Sequence, residues 1–265
     1  MSEGMQSPHL PRPAPKVAAP GALQPLSGWA TAGWALLTLL AWLAAEAVVL
    51  IVFLVRWFAF NPGVPIDADM IAHNGYLVSL AAIVSAAVQC AVVVLAIRRT
   101  RWPVADYLGL VRRPHPREVV FCLACVALLL VASDLVSWLI GHDLVPPFMR
   151  NVYLAARDAG AIALLLLAVA VAAPIGEEIV FRGFMFRGLA ASRLGPTGTI
   201  VVTSAVWAAI HLQYDWLGIA QIFCLGLLFG WVRWRSGSTA LTMLMHAACN
   251  LVATVETAVI VEGLS

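Results

Sequence analysis

Any chemistry in this sequence would have to come from a few ionisable side chains set among apolar residues. The stretch GEEIVFRG, at positions 176–183, carries two carboxylates, Glu177 and Glu178, and the guanidinium of Arg182. Residues four apart share one face of a helix, so Glu178 and Arg182 are predicted to form an ion pair. Glu177 lies about 100° round the same helix and has no local partner. Because an unpaired charge is costly in apolar surroundings, we expect Glu177 to meet groups from another helix.

Two later stretches supply such groups. Trp207-x-x-x-His211 and His246-x-x-x-Asn250 each place two residues on one helix face. One carboxylate, two imidazoles and one amide can therefore converge on a single polar cavity. Peptide hydrolysis needs a base for water and donors for the developing oxyanion. A carboxylate in an apolar pocket can be the base, an imidazole can return the proton to the leaving amine, and His246 and Asn250 can donate hydrogen bonds.

The composition indicates that these groups lie within a membrane. Of the 265 residues, 62% are hydrophobic and 11% are charged, and the mean hydropathy is +0.91. Soluble domains are about one quarter charged, so the chain is predicted to be an integral membrane protein. The predicted fold class is all-α, a polytopic transmembrane helical bundle with its catalytic pocket within the late helices. About seven spans are expected, at roughly 29–58, 75–97, 118–140, 158–190, 197–215, 216–233 and 239–262.

The charged residues are unevenly distributed between alternate connections. Arginines concentrate in one set of connections: Arg98, Arg99, Arg101, Arg112, Arg113, Arg117, Arg187, Arg193, Arg233 and Arg235. The other set carries Asp67, Asp69, Asp143 and Asp215. The positive-inside rule places the first set in the cytoplasm. We therefore expect a multi-pass protein of the cell membrane, specifically a bacterial cytoplasmic membrane, with a disordered cytoplasmic tail at 1–27. Topology accounts for the basic loops, so no nucleic-acid partner is expected.

The depth of each group in the membrane tests whether the groups can meet. His211 is about 21 Å from the cytoplasmic start of its span, at 1.5 Å per residue. Glu177 reaches a similar depth, roughly 18–20 Å, if the fourth helix continues to about Leu189. His246 is about 10 Å deep, so the cavity is predicted to open towards the cytoplasm. A proline and a glycine just before the acids predict a local kink in the fourth helix.

The segments EEIVFR, WAAIH and HAACN, in this order on successive helices, resemble the three motifs of the CAAX protease and bacteriocin-processing (CPBP, or Abi) family. The YLGL run at 107–110 is also similar to a segment that many members carry before the core. The resemblance covers 105–262 and leaves two N-terminal transmembrane helices, within 28–104, outside it. It implies an intramembrane glutamate endopeptidase related to the prenyl-protein CAAX proteases, with no cofactor and no metal.

The resemblance assigns catalytic roles to four residues. Glu177 and His211 would activate the water, while His246 and Asn250 would line the oxyanion site. The implied substrate is a membrane-associated peptide or protein, lipidated or not. The lipid bilayer is the other expected partner.

The same resemblance gives Glu178 and Arg182 a structural role, because it implies that they support the fold of the site. Trp207 stands where the second motif often begins with Phe. We expect this difference to alter packing and not chemistry. Each motif is short and weak alone, and their order in a polytopic chain is what makes the resemblance specific.

Two other functions remain open from the residues alone. One Glu and two His can hold Zn²⁺ with an open position, so the chain could be a zinc-dependent membrane metalloprotease. An H-E-x-x-H motif is missing and Asn is a poor zinc ligand, which disfavours that alternative. The other is a non-enzymatic membrane scaffold or immunity factor, whose polar pocket would hold a ligand or relay protons.

Overall fold

The computed structural model describes residues 23–263, so most of the predicted tail at 1–27 lies outside the described residues. All regular structure in that range is helical, which confirms the all-α class. The helices are α1 Gly28–Phe60, α2 Ala68–Ala72, α3 Gly75–Ile97, α4 Val104–Leu108, α5 Pro116–Leu139, α6 Pro147–Asp158, α7 Ile162–Leu167, α8 Ala173–Glu178, α9 Phe186–Ala190, α10 Gly195–Ala209, α11 Trp216–Ser236 and α12 Thr239–Gly263. Two π-helical turns, Ala168–Ala172 and Ile179–Met185, join α7, α8 and α9 into one continuous helix, Ile162–Ala190, here called the interrupted helix.

Six helices of the described chain are long and apolar enough to cross a membrane: α1, α3, α5, the interrupted helix, α11 and α12. The polytopic bundle is thereby confirmed, but the expected count of about seven spans is corrected to six. The fifth predicted span, 197–215, forms only the 15-residue helix α10, about 22 Å long at 1.5 Å per residue. α10 cannot continue to 215 because Asp215 caps the next helix: its Oδ1 accepts hydrogen bonds from the backbone N–H groups of Leu217 and Gly218.

The helices run between two ends of the bundle that differ in their charged residues. At the first end, the 98–115 connection meets the 237–238 turn, where the Thr239 N–H donates to the Gly109 carbonyl over 3.0 Å. We call this the basic end; it also includes residues 191–194. At the other end, His142 pairs with Asp215 over 2.7 Å and Arg157 with Glu262 over 3.2 Å. This acidic end comprises 61–74, 140–161 and 210–215.

The outward faces of the bundle are strongly apolar. On α5, for example, Val120, Leu128 and Trp138 are 68%, 71% and 69% exposed. Such large exposed apolar side chains are unfavourable in water but are expected where a helix faces lipid. Together with the six long apolar helices, they identify a multi-pass membrane protein.

The interrupted helix contains π-helical turns on both sides of the acids, where only a kink was expected. In the first turn, hydrogen bonds run from each N–H to the carbonyl five residues earlier, as from Ala173 to Ala168. The next bond in that register would join residue 174 to Val169, but Pro174 has no N–H to donate. The Val169 carbonyl is therefore left for a partner outside its own helix. Gly176 has a separate role in packing: a Cβ there would lie 2.9 Å from the Ala86 Cβ of α3.

Candidate active site

Glu177 lies on α8 with its side chain half-buried and turned towards α10. Its Oε2 accepts a hydrogen bond from Nε1 of Trp207 at 2.5 Å. Its Oε1 accepts no hydrogen bond from the side chains and backbone described between residues 23 and 263. Glu177 thus meets a group from another helix, as the sequence predicts, and one carboxylate oxygen is still available.

His211 lies just beyond the C-terminal end of α10. Its Nδ1 is 2.7 Å from the backbone carbonyl of Trp207. A carbonyl can only accept, so we infer that Nδ1 carries the hydrogen and that Nε2 of the neutral ring has a free lone pair. His211 is therefore fixed as the tautomer that can accept a proton at Nε2.

The neighbouring carboxylate, Glu178, belongs to a closed polar network. Its Oε1 accepts from Nη1 of Arg182 at 2.8 Å, the ion pair that the four-residue spacing predicts. The same oxygen is 3.2 Å from Nδ1 of His246. Arg182 also donates from Nη2 to the carbonyl of Gly226 on α11, over 3.3 Å. Glu178 and Arg182 are fully buried and His246 is 4% exposed, so this network is shielded from solvent and lipid.

Asn250, one turn beyond His246 on α12, makes a contact that the sequence alone did not reveal. Its Nδ2 donates to the Val169 carbonyl over 2.8 Å. This is the carbonyl that Pro174 leaves without a partner. An amide nitrogen carries two hydrogens, so the bond orients Asn250 and leaves one N–H for another acceptor.

The indole of Trp207 lies among all of these groups and is 2% exposed. The guanidinium carbon of Arg182 is 4.4 Å from the ring centroid, a cation–π contact. The rings of His246 and His211 meet the indole edge-on, with centroids 5.3 and 5.5 Å away. The expectation that Trp207 would alter only packing is therefore wrong, because its N–H bonds directly to the Glu177 carboxylate.

Tyr214, three residues after His211, was not predicted as a site residue. Its ring lies 6.2 Å from that of His211 and 5.9 Å from that of Phe148, between centroids. Burial, with the Glu177 charge nearby, raises the pKa of Tyr214 to about 12. The phenol therefore keeps its proton at physiological pH and is a potential hydrogen-bond donor. Only its position in HLQYD, on the loop that follows the second motif, could have suggested it.

Two cavities meet at Glu177 and His211, which line both of them. The larger, of about 830 Å³, lies between α1, α3 and the interrupted helix and has mostly apolar walls. The smaller, of about 320 Å³, extends between α5, α11 and α12 and is also lined by His246, Asn250 and Tyr214. The four predicted catalytic residues are thus brought to one cavity.

The cavity walls contributed by the segments that connect the long helices come from the acidic end, including Ile71 and Ala72 in the larger cavity and Val145 and Gln213 in the smaller one. None of the residues 98–115, 191–194 or 237–238 of the basic end lines either cavity. The arginine-rich connections, beside which the cavity was expected to open, thus contribute no residue to the cavity walls. The reason is that α10 stops at Ala209, which places His211 beside the acidic-end loops.

The arrangement does not favour a zinc site. Within the described part of the chain, no three His, Cys, Asp or Glu side chains lie close enough to hold a metal ion. Nδ1 of His246 is already engaged by Glu178, and Nδ1 of His211 by a carbonyl. One nitrogen of each imidazole is therefore engaged in a hydrogen bond within the protein.

Comparison with known proteins shows what the site-bearing part of the chain is similar to. Residues 159–252 match the family model described as type II CAAX prenyl endopeptidase Rce1-like. An uncharacterized 24.3 kDa protein of Escherichia coli is 35% identical over 103 residues, which are 38% of this chain and 46% of that protein. The alignment thus spans about half the length of that relative. No solved structure matches the chain. The family match over residues 159–252 confirms the resemblance drawn from the three motifs.

Proposed function

We propose that this chain, which carries an Rce1-like CAAX protease domain at residues 159–252, is an intramembrane endopeptidase that uses water activated by Glu177 and His211. One observation carries the proposal. Glu177 and His211 line both cavities, and each retains a free proton acceptor, Oε1 and Nε2 respectively. A water molecule held between these two atoms would be positioned to attack a peptide carbonyl in the cavity.

The reaction proceeds in two steps. The water oxygen bonds to the carbonyl carbon while a water proton moves to Oε1 of Glu177, and the carbonyl π electrons become the oxyanion. The tetrahedral intermediate then collapses: the C–N bond breaks, its electron pair stays on nitrogen, and the nitrogen takes the proton from Glu177 directly or through His211. The products are a carboxylate terminus and an amine terminus, with no covalent enzyme intermediate.

The oxyanion is stabilised by donors on α12. Asn250 contributes the second hydrogen of Nδ2, since the first is bonded to Val169. His246 already donates from Nδ1 to Glu178, so it can donate from Nε2 only when its ring is protonated. The hydrogen bond to Glu178 fixes the orientation of the ring. Glu178 thereby supports the oxyanion site through His246 and not through contact with substrate.

The substrate is a membrane-associated peptide or protein, lipidated or not. The larger cavity has the volume and the apolar walls to hold an apolar part of such a molecule next to Glu177. The smaller cavity, which contains Asn250 and Tyr214, would hold the polypeptide on the other side of the scissile bond.

The test is cleavage of a membrane-peptide library by the purified full-length chain, with products identified by mass spectrometry. We expect the wild type to cleave and Glu177→Gln to be inactive, while Asp158→Asn, which neutralises an exposed carboxylate outside the site, keeps the wild-type rate. A strong chelator should leave activity intact. Loss of activity with chelator that added Zn²⁺ restores would establish the metalloprotease instead, and binding without cleavage would favour the scaffold.

A further inference from the structure

The two ends of the bundle differ strongly in arginine content. Ten arginines lie at or beside the basic end: Arg98, Arg99, Arg101, Arg112, Arg113, Arg117, Arg187, Arg193, Arg233 and Arg235. Three lie at or near the acidic end, Arg56, Arg150 and Arg157, among several carboxylates. Several of the basic-end arginines are anchored in the fold, so their location is fixed. Arg187, for example, donates to the backbone carbonyls of Tyr107 and Asp106 over 3.0 and 2.8 Å.

This asymmetry has a direct topological meaning. Arginines and lysines in short loops remain on the cytoplasmic side of a membrane protein. The basic-end connections are short, with the 109–115 segment between α4 and α5 and the 237–238 turn between α11 and α12. The basic end is therefore assigned to the cytoplasm and the acidic end to the opposite face.

The catalytic cavities belong to the acidic end. His211 and Tyr214 lie on the 210–215 loop, and Gln213 between them is exposed and lines both cavities. The larger cavity extends to Met185, about one turn beyond the buried Arg182 of the Glu178 network, but none of the residues of the basic-end loops lines it. Phe184 and Tyr107, stacked at 6.0 Å and both fully buried, close the bundle beyond that network.

We propose that water and substrate reach Glu177 from the non-cytoplasmic face of the membrane. The substrate class is then a polypeptide presented on that face, either a translocated peptide or the outer juxtamembrane segment of a membrane protein. This inference rests on the proposed function for its substrate, but the direction of access is a property of the fold and can be tested without any cleavage.

Accessibility of single cysteines tests the direction of access. The five native cysteines, none of them in a disulfide, are replaced by alanine in the full chain. Gln213→Cys and Leu144→Cys then probe the mouth of the cavities, and Val111→Cys, 59% exposed at the basic end, is the matched control. In intact cells, a membrane-impermeant maleimide should react with the first two at least about 10-fold faster than with the third, because an intact bilayer excludes the reagent from the cytoplasm.

Permeabilising the cells should make Val111→Cys react as fast as the two probes. The proposal is overturned if Gln213→Cys and Leu144→Cys react only after permeabilisation, or if Val111→Cys reacts before it. Using two probes at the cavity mouth ensures that misfolding of one variant does not decide the result.

A second arm tests the substrate. A membrane-impermeant peptide that the purified enzyme cleaves is given to sealed spheroplasts, which expose the outer face, and to sealed inverted vesicles. Cleavage by spheroplasts alone supports the proposal, and cleavage by inverted vesicles alone overturns it. If purified protein cleaves nothing, the proposed function fails, while the cysteine reactivities still decide which face the cavities open to.

Discussion

Glu177 and Glu178 are neighbours in sequence but belong to different regions of the molecule. Glu178 is fully buried in a closed network, where one oxygen is shared between Arg182 and His246. Glu177 is half-buried where two cavities meet, and Trp207 donates a hydrogen bond to one of its oxygens; we call this part of the site the open region. The 100° rotation between consecutive helix positions is sufficient to turn one carboxylate into the bundle and the other into the cavity.

The difference shows how environment can give two identical side chains separate roles. In the closed network the charge of Glu178 is matched by Arg182, so its removal leaves a buried counter-charge. In the open region Glu177 has an oxygen without a hydrogen-bond partner among residues 23–263, so its replacement leaves the packing intact and takes away a proton acceptor. Loss of stability and loss of activity should therefore separate between the two positions.

The largest effect is expected for Glu177→Gln. Removal of a general base lowers the rate of such reactions by about 10²–10⁴-fold. The amide oxygen of Gln can still accept the Trp207 hydrogen bond, so the variant should remain monodisperse in detergent with an unchanged unfolding midpoint. Peptide cleavage and thermal unfolding of the same preparation provide the measurement. If Glu177→Gln unfolds while Glu178→Gln is stable and inactive, then Glu178 is the base and Glu177 has the structural role.

Glu178→Gln should act on stability instead. It leaves Arg182 fully buried without its counter-charge, and breaking such a buried pair costs about 3–5 kcal/mol. The expected signature is poor expression or a lower unfolding midpoint in detergent. Replacing both partners, as in Glu178→Gln with Arg182→Met, should recover part of the lost stability because no unpaired charge remains. If the double variant is less stable than Glu178→Gln, the closed network is not held by that charge pair.

Asn250→Ala should lower both activity and stability. Loss of one oxyanion donor lowers kcat by about 10²-fold with little change in KM. Loss of the bond to Val169 also leaves a part-buried carbonyl without its donor, at a cost of at most about 1–3 kcal/mol.

Pro174→Ala separates these two effects of Asn250. It restores an N–H that can donate to the Val169 carbonyl within the interrupted helix. In a Pro174→Ala background, Asn250→Ala should therefore lose less stability while kcat remains about 10²-fold low. A near-normal kcat for Asn250→Ala in either background would exclude the oxyanion role.

The closed network was the more predictable of the two regions. The Glu178–Arg182 pair follows from a spacing of four residues within one helix, which is a local rule that needs no tertiary information. The apolar spans likewise follow from composition, and six of the seven predicted spans correspond to long helices at nearly the predicted bounds.

The open region depends on features that the sequence does not make explicit. α10 ends at Ala209, and residues 210–214, between it and the α11 N-cap Asp215, form no helix although the predicted span included them. That early end places His211 beside the acidic-end loops. Asn250 donates to the Val169 carbonyl, which is free because the π-helical register would pair it with Pro174, and proline has no N–H. Neither Pro174 nor Asn250 alone predicts this contact from the sequence.

The smallest predicted effect concerns Trp207, whose N–H links the two regions. Arg182 of the closed network lies over the indole ring, and the indole in turn holds Oε2 of Glu177, which leaves Oε1 to face the water. Trp207→Phe keeps an aromatic ring for Arg182 but removes the donor. A hydrogen bond to a charged group is worth about 1.5–3 kcal/mol, so a misoriented base should lower kcat by about 10-fold or more while KM is unchanged.

Trp102→Phe is the matched control for that substitution. Trp102 is also partly covered by an arginine, Arg187, whose guanidinium carbon is 5.0 Å from the ring centroid, but its buried Nε1 has no hydrogen-bond partner among residues 23–263. Its replacement should therefore leave kcat unchanged. The ¹⁵N–¹H resonances of the indoles provide a readout independent of activity, because Glu177→Gln should displace the Trp207 resonance and leave the Trp102 resonance in place. Equal kcat for the two Phe variants, with a Trp207 resonance insensitive to Glu177→Gln, would show that the closed network does not act on the base through this indole.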